Sequence, residues 1–305
     1  TRTFNTTFNY DSWNRLQSMQ YPDGENVIYN YDLGGNLNNM IGQLNKSAYS
    51  YIKRIDYNHY EQRTFLNYGN NTKTYYTYTP AMNRLDVLNV KTFNQSDLLN
   101  NKYLYDKVSN IVQVKNSAPF TTNKVASIYT HNFRYDNLNR LSGADGSFNG
   151  DASQILTGND ASSTYNLRMS YNDTHGIVSK NQYHNKNGTT YQPNTYDNDY
   201  TYAENTHQVQ KIEHYDNDEI ENFRYDLNGN IIQRSNRFGS RNFLWDESNR
   251  LRVVSENNAM QHYIYDASGE RILKANSDVE AVYENGILIS PGTVTINGYT
   301  SYPSG

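Results

Sequence analysis

Two short runs, Asp197-Asn198-Asp199 and Asp216-Asn217-Asp218-Glu219, carry the oxygen ligands that a calcium ion takes on a compact loop. An EF-hand loop beginning at either run needs glycine at its sixth position and glutamate at its twelfth. Those positions hold Tyr202 and Gln208 in one frame, Glu221 and Leu227 in the other. The runs read as solvated turns, and no metal is expected. Seven histidines, His59, His131, His175, His184, His207, His214 and His262, show no HExxH-type spacing. Each is expected on a strand surface or in a turn, and replacing His184 is expected to matter little. Carboxylate pairs for glycoside hydrolysis could be drawn from 31 acidic residues. The prominent aspartates, however, recur in one turn slot, which serves architecture rather than catalysis. No G-x-S-x-G elbow, phosphate-binding glycine loop or dinucleotide fingerprint occurs. No catalytic residue, cofactor or enzymatic activity is expected.

The aromatic residues are the remaining candidates. Thirty Tyr, ten Phe and two Trp make up 14% of the chain. Recurrent aromatics can stack on sugars or form the core of a repeat, and their spacing decides between the two. An anchor ring recurs at Tyr10, Tyr31, Tyr57, Tyr78, Tyr105, Tyr135, Tyr171, Tyr202, Tyr225, Trp245 and Tyr265. Aspartate follows seven of these eleven: Asp11, Asp32, Asp106, Asp136, Asp226, Asp246 and Asp266. The other four are followed by Asn58, Thr79, Asn172 and Ala203.

Two further columns supply the elements that position these rings. Two residues before each anchor stands another large apolar side chain: Phe8, Tyr29, Ile55, Tyr76, Tyr103, Phe133, Met169, Tyr200, Phe223, Phe243 and Tyr263. A two-residue step puts both on one face of a β-strand. Six or seven residues after the anchor an apolar residue returns: Leu16, Leu37, Leu85, Ile111, Leu141, Ile177, Val209, Ile231, Leu251 and Ile272. Only Tyr57 lacks one, with Arg63 and Thr64 there. Between lie turn-formers such as Asp32-Leu33-Gly34-Gly35-Asn36 and Asp136-Asn137-Leu138-Asn139-Arg140. Asp and Asn hydrogen-bond nearby backbone, while Gly and Asn tolerate positive φ. Each repeat is thus a strand, a turn and a strand. Asp23-Gly24, Asn187-Gly188, Asn285-Gly286 and Asn297-Gly298 are expected as further tight turns. The shared face makes the anchors core residues rather than sugar platforms.

No window shows helical periodicity. The segment 142–164, rich in Gly, Ser, Asp and Asn, is expected as an extended polar loop inside one array spanning 1–305. Hydrophobic content of 36% is below the roughly 45–50% of an ordinary soluble domain. The rings argue against disorder, and tyrosine suits a thin wall because its hydroxyl can reach water or a partner. A lone hairpin is unstable, so units must propagate as a sheet that coils or closes. Net charge is -4 with basic residues scattered, which gives no footprint for nucleic acid. No apolar run is long enough for a membrane span, and cysteine is absent, so disulfides are excluded and the compartment stays open. No signal-like segment opens the chain, and both ends read as cuts in something longer.

The motifs Tyr31-Asp32-Leu33-Gly34-Gly35-Asn36-Leu37, Tyr225-Asp226-Leu227-Asn228-Gly229-Asn230-Ile231, Tyr135-Asp136-Asn137-Leu138-Asn139-Arg140-Leu141 and Trp245-Asp246-Glu247-Ser248-Asn249-Arg250-Leu251 resemble those of the Rhs, or YD-repeat, family. The resemblance covers nearly the whole chain. It implies an all-β fold in which hairpins form one long spiralling sheet, part of a hollow shell. Bacterial relatives enclose a toxic C-terminal segment, and animal teneurins display a similar barrel for adhesion. By resemblance, the chain is a structural shell segment of a large secreted or cell-surface bacterial protein. Its partners would be the rest of the same polypeptide, an enclosed cargo outside this segment, and secretion machinery. The alternative is an adhesin or carbohydrate-binding array that meets surface glycans through segment 142–164. The family closes its shell with Asp-Pro-bearing motifs and an autoproteolytic aspartyl site. No Asp-Pro pair occurs here, so neither self-cleavage nor a payload is expected within this segment. Eleven repeats are fewer than many such shells use, which implies a partial wall.

Overall fold

The computed structural model describes residues 5–119, 127–149, 162–256, 259–278, 282–284, 287–290 and 295–301. Among them the regular structure is strand, apart from one 3-10 turn at Gln192–Asn194. The chain divides into two compact units. One comprises Thr1–Arg168 with Gln182–Thr195, the other Met169–Asn181 with Tyr196–Gly305. The repeat expected as a single array is present in both units.

In the first unit each strand pairs antiparallel with its neighbours in sequence. Asn26–Tyr31 lies between Leu16–Gln20 and Leu37–Leu44, and Lys73–Tyr78 between Arg63–Tyr68 and Leu85–Lys91. The second unit repeats the pattern from Tyr196–Tyr202 through Val209–His214, Glu219–Tyr225, Ile231–Asn236, Gly239–Trp245, Leu251–Glu256 and Ala259–Tyr265 to Arg271–Asp278. Every anchor whose hairpin register is given sits at a β-bulge. Tyr31 opposes Leu37 while Asn30 opposes Asn39, so one residue of the return strand is extra. Bulges of this kind bend the strand and raise its twist.

Anchor and minus-two residues share a face, as the two-residue step requires. Ser162–Tyr171 alternates exposed and half-buried along its whole length, with Met169 and Tyr171 on the inner side. The core is thin. Ten of the eleven anchors are half-buried and Tyr10 is exposed. Full burial on this face falls two or four residues before an anchor at Ile55, Val27, Thr74, Asn101 and Glu221, and at their cross-strand neighbours Leu66, Asn116 and, opposite Phe133, Ala144. In the second unit the opposite face has its own core, where Val253, Met260 and Leu288 cluster with Leu244. Leu288 belongs to Ile287–Ser290, which pairs with Val282–Glu284 in a separate two-stranded sheet.

Three expectations need correction. The segment 142–164 is not loop throughout. Leu141–Asn149 and Ser162–Tyr171 are strands paired from Gly143↔Arg168 to Asn149↔Ser162, and the remainder, 150–161, lies outside the described residues. Small polar side chains suit strands here because Gly146 lets the rings of Tyr165 and His131 close over the backbone: a Cβ there would sit 2.4 Å from the Tyr165 ring. Asn297-Gly298 is not a turn but a bulge within Thr295–Ser301, with Asn276 opposite Gly298 and Ser277 opposite Ile296. Ile272 does not fill the return slot after Tyr265, because pairing puts Arg271 there. Asn187-Gly188 is a tight turn with φ of 49° and 80°, and Gly24 of the Asp23-Gly24 pair has φ 91°. Asn285-Gly286 lies outside the described residues.

Candidate functional site

The site is a latch that recurs along the repeats, and it begins with the turn. Asp136 Oδ1 accepts from the backbone N–H of Leu138 at 2.8 Å and of Arg140 at 3.0 Å. Asp11, Asp106, Asp226, Asp246 and Asp266 do the same two and four residues on. Asp32 Oδ1 accepts from Asn36 N–H at 2.9 Å. Asn58 and Asn172 reproduce the pattern through their amide oxygens. In the longer turn after Tyr78, Thr79 Oγ1 accepts from Arg84 N–H at 3.2 Å. Ala203 has no side-chain acceptor, and Thr206 Oγ1 takes Gln208 N–H instead.

Three residues beyond the turn Asp, the backbone enters the left-handed region: Asn14 at φ 60°, Gly35 at 90°, Asn139 at 60°, Gly229 at 86°, Asn249 at 58°. Gly and Asn tolerate that conformation, which is why both repeat forms place one of them there. Glu61, Ser109 and His175 occupy the same position at φ 60°, 75° and 66°.

The aspartate's second oxygen holds the residue four along. Arg15, Arg140 and Arg250 donate Nε to Oδ2 of Asp11, Asp136 and Asp246 at 2.7, 2.7 and 2.8 Å. Asn110 and Asn230 donate to Asp106 and Asp226, both at 2.9 Å. These bonds have an electrostatic signature. The N–H and side chain of Arg15 hold the Asp11 carboxyl below its ordinary value of 3.8. Asp136 and Asp246 are lowered in the same way by Arg140 and Arg250. Asp266 is lowered by Ser268 and the Glu270 N–H. At Asp106 and Asp226 burial opposes, but the donors on Asn110 and Asn230 prevail and the result is again downward.

The anchor closes the latch on the preceding repeat. Tyr31 donates its hydroxyl to the Leu16 carbonyl at 2.7 Å, Tyr57 to Leu37 at 2.9 Å and Tyr78 to Arg63 at 2.7 Å. Tyr105 donates to Leu85 at 2.8 Å, Tyr135 to Ile111 at 2.8 Å and Tyr202 to Ile177 at 2.9 Å. Tyr225 donates to Val209 at 2.9 Å, Trp245 Nε1 to Ile231 at 2.8 Å and Tyr265 to Leu251 at 2.9 Å. In nine of eleven repeats, therefore, the ring reaches the carbonyl that opens the previous return strand. The bulge explains the geometry, since the extra residue interrupts the ladder where that carbonyl needs a donor. Burial raises the hydroxyl pKa of Tyr57, Tyr78, Tyr105, Tyr135, Tyr202 and Tyr225, which keeps each a donor. The Tyr171 hydroxyl lies 4.0 Å from Met169 Sδ.

A second strap runs between turns. The guanidinium of Arg15 lies 4.4 Å over the Tyr31 ring, Arg84 4.6 Å over Tyr105 and Arg250 5.5 Å over Tyr265. Asn110 Nδ2 donates to Asn139 Oδ1 at 2.9 Å and Asn230 Nδ2 to Asn249 Oδ1 at 2.8 Å. The turns of Arg15, Arg84 and Arg250 thus reach the next anchor, and those of Asn110 and Asn230 reach the next turn.

Nine of the eleven expected anchors carry the latch, and all seven expected turn aspartates hold their own loops. The carbonyl partner was not anticipated, because any residue supplies a carbonyl. Arg63 shows why its slot carries no fixed side-chain signal: it latches Tyr78 as Leu16 latches Tyr31. His184 is not a plain surface residue. It is half-buried, with Nε2 2.5 Å from Ser163 Oγ and its ring edge-on to Tyr191 at 5.6 Å. Among the described residues no group of three His, Cys, Asp or Glu could hold a metal ion, and no helix is long and apolar enough to cross a membrane.

No family model matches the sequence, and no curated protein matches it. Solved structures do. A crystal structure of TcdB2-TccC3-Cdc42 superposes with a TM-score of 0.72 at 20% identity, over 90% of this chain and 13% of the other. TcdB2-TccC3 gives 0.71 at 20% identity, over 90% and 14%. The Photorhabdus luminescens Tc holotoxin pore with a mutation in TccC3 gives 0.61 at 17% identity, over 92% and 15%. The chain thus spans about a seventh of the length of these structures. At such identity the likeness shows the fold, and it is the all-β YD-repeat hairpin fold expected from the sequence motifs.

Proposed function

We propose that this chain is wall: a segment of a hollow Rhs-type shell in a large secreted or surface protein, enclosing a cargo that lies outside the segment. The observation that carries the reading is the latch repeated through nine anchors, each binding one hairpin to the one before. A repeat whose polar groups are spent on its own neighbours makes continuous surface. The recurrent aspartates are held down by donors of their own turns, so their charge stabilises loops rather than serving proton transfer. The fold shared with toxin structures supports the same role, and the expected partners are the remaining polypeptide and its cargo. We read the two units as stretches of one array, since the repeat columns continue from one to the other.

Electron microscopy of the protein containing this segment tests the proposal. A closed particle with an internal cavity is expected. A solid or extended particle contradicts it.

A further inference from the structure

Where Leu37–Leu44 turns into Ser47–Tyr57, away from any latch, two tyrosines are held on a single carboxylate oxygen. Tyr49 and Tyr51 both donate their hydroxyls to Oε1 of Glu25, Tyr51 at 2.6 Å. Their rings meet edge to face, with centroids 5.4 Å apart and planes at 74°. Gly42 lies opposite Tyr49, and the bulge between Met40 and Ile41 leaves Tyr51 as the extra residue of its strand. A bulge re-aims a side chain, and here it lets both rings lean toward Gly42. A Cβ on Gly42 would lie 2.6 Å from Tyr49 Cε2, 2.8 Å from Tyr51 Cε2 and 2.8 Å from Glu25 Oε1. Two ring carbons and a carboxylate oxygen thus converge on one point that glycine leaves open. Both tyrosines remain accessible, at 41% and 40% exposure.

We propose that Tyr49 and Tyr51 form an oxidative modification site, where a one-electron oxidant joins the two rings as dityrosine. Cε2 is ortho to the hydroxyl, and an oxidised phenol carries its unpaired electron on that carbon as well as on oxygen. Glu25 supplies the base that takes each phenolic proton. Hydrogen bonding to Glu25 raises the pKa of both phenols, so each proton leaves only when an electron does. The latch tyrosines lack this arrangement. They are half-buried and donate to backbone carbonyls, which take up no proton. The step balances. Each phenol gives one electron to the oxidant and its O–H proton through Glu25 to water. The two radicals couple in a new Cε2–Cε2 bond, and the hydrogens on those carbons move to the oxygens, restoring both hydroxyls. With persulfate as the terminal oxidant, the two electrons reduce it to two sulfates. The product staples the bulge covalently in a chain that has no cysteine to do so.

The test is brief illumination of the folded chain with ruthenium tris-bipyridyl and limiting persulfate, followed by trypsin and mass spectrometry. Cleavage after Lys46 and Lys53 isolates both tyrosines in peptide 47–53. That peptide, recovered from monomeric chain, should be lighter by two hydrogens and carry dityrosine fluorescence. Tyr49→Phe and Tyr51→Phe should each abolish the product, while Tyr183→Phe, at another exposed ring, should leave it unchanged. Glu25→Gln keeps an acceptor but takes up no proton, and should slow coupling by about tenfold or more. Gly42→Ala should suppress coupling by forcing the rings apart, with a melting curve to show that the variant folds. The unaltered chain in urea gives the same comparison without a variant. The Tyr-Ser-Tyr spacing survives there while Gly42 and Glu25 are withdrawn, so the yield should fall. Equal yield in urea, unslowed coupling in Glu25→Gln, or an unmodified peptide 47–53 while other tyrosines couple would overturn the proposal. The wall reading stands or falls separately, on the particle's shape.

Discussion

The two ends of a hairpin are built differently. At the turn end one device recurs: an Asp or Asn holds the loop in nine repeats, and a ring donates to a neighbour's carbonyl in nine. At the far end each tip is its own solution. Glu25 accepts hydroxyls from both Tyr49 and Tyr51 above Gly42, where a Cβ would meet both rings closer than 3 Å. In the second unit the far end holds Glu221 with Arg234, and a groove beside Arg241. The turn end is addressed to backbone, so it tolerates Arg63 for leucine and Trp245 for tyrosine. The far end is addressed to side chains and can diverge from one hairpin to the next.

Substitutions can break that contrast. The largest effect is expected at Tyr225→Ala, which removes both the half-buried ring and the bond to Val209. A loss of about 3 kcal/mol in urea unfolding is the expectation. Asp226→Ala leaves the N–H groups of Asn228 and Asn230 without their acceptor and should cost about 1–2 kcal/mol in the same experiment. Glu61→Gly should have the opposite sign. It relieves a left-handed backbone at φ 60°, and a gain of about 1 kcal/mol in denaturant midpoint is expected. Leu227→Ser, at a fully exposed turn tip, should stay within about 0.5 kcal/mol.

Acid should act on the turn end. The carboxyls of Asp11, Asp136, Asp246 and Asp266 lie below 3.8 when folded, so folding holds them ionised. Their contribution is fully present above the unfolded value and is lost as pH falls through the folded one. Melting temperatures should therefore hold steady down to about pH 5 and drop below about pH 4. A stability maximum below pH 4 would remove the aspartates from the account.

What could be read from sequence divides along the same line. Turn chemistry and strand faces are local, and the seven Asp after the anchors, with Phe or Tyr two before, declared both. The latch was hidden because its acceptor is a carbonyl 14 to 25 residues upstream, whose residue type is free. The buried position four before the anchor was hidden for another reason. It holds Val27, Thr74, Asn101 and Glu221, each satisfied differently, so it forms no column. Asn101 accepts from the Tyr129 hydroxyl at 2.9 Å, while Glu221 takes Arg234. Ile272 misled because counting apolar residues ignores register: the turn from Asp266 to Glu270 closes one residue earlier than the spacing suggested. The strand ends at Asn149 and Ser162 were missed because cross-strand pairing, not composition, makes those small polar residues strand.

Trp245 allows the most direct measurement. Tyrosine and phenylalanine at this position have the same ring and differ in one donor. Trp245→Tyr should be more stable than Trp245→Phe by about 1 kcal/mol, because only tyrosine can restore the bond to the Ile231 carbonyl. Equal stability of the two variants, or a more stable phenylalanine, would mean that the ring holds the hairpins together without the latch.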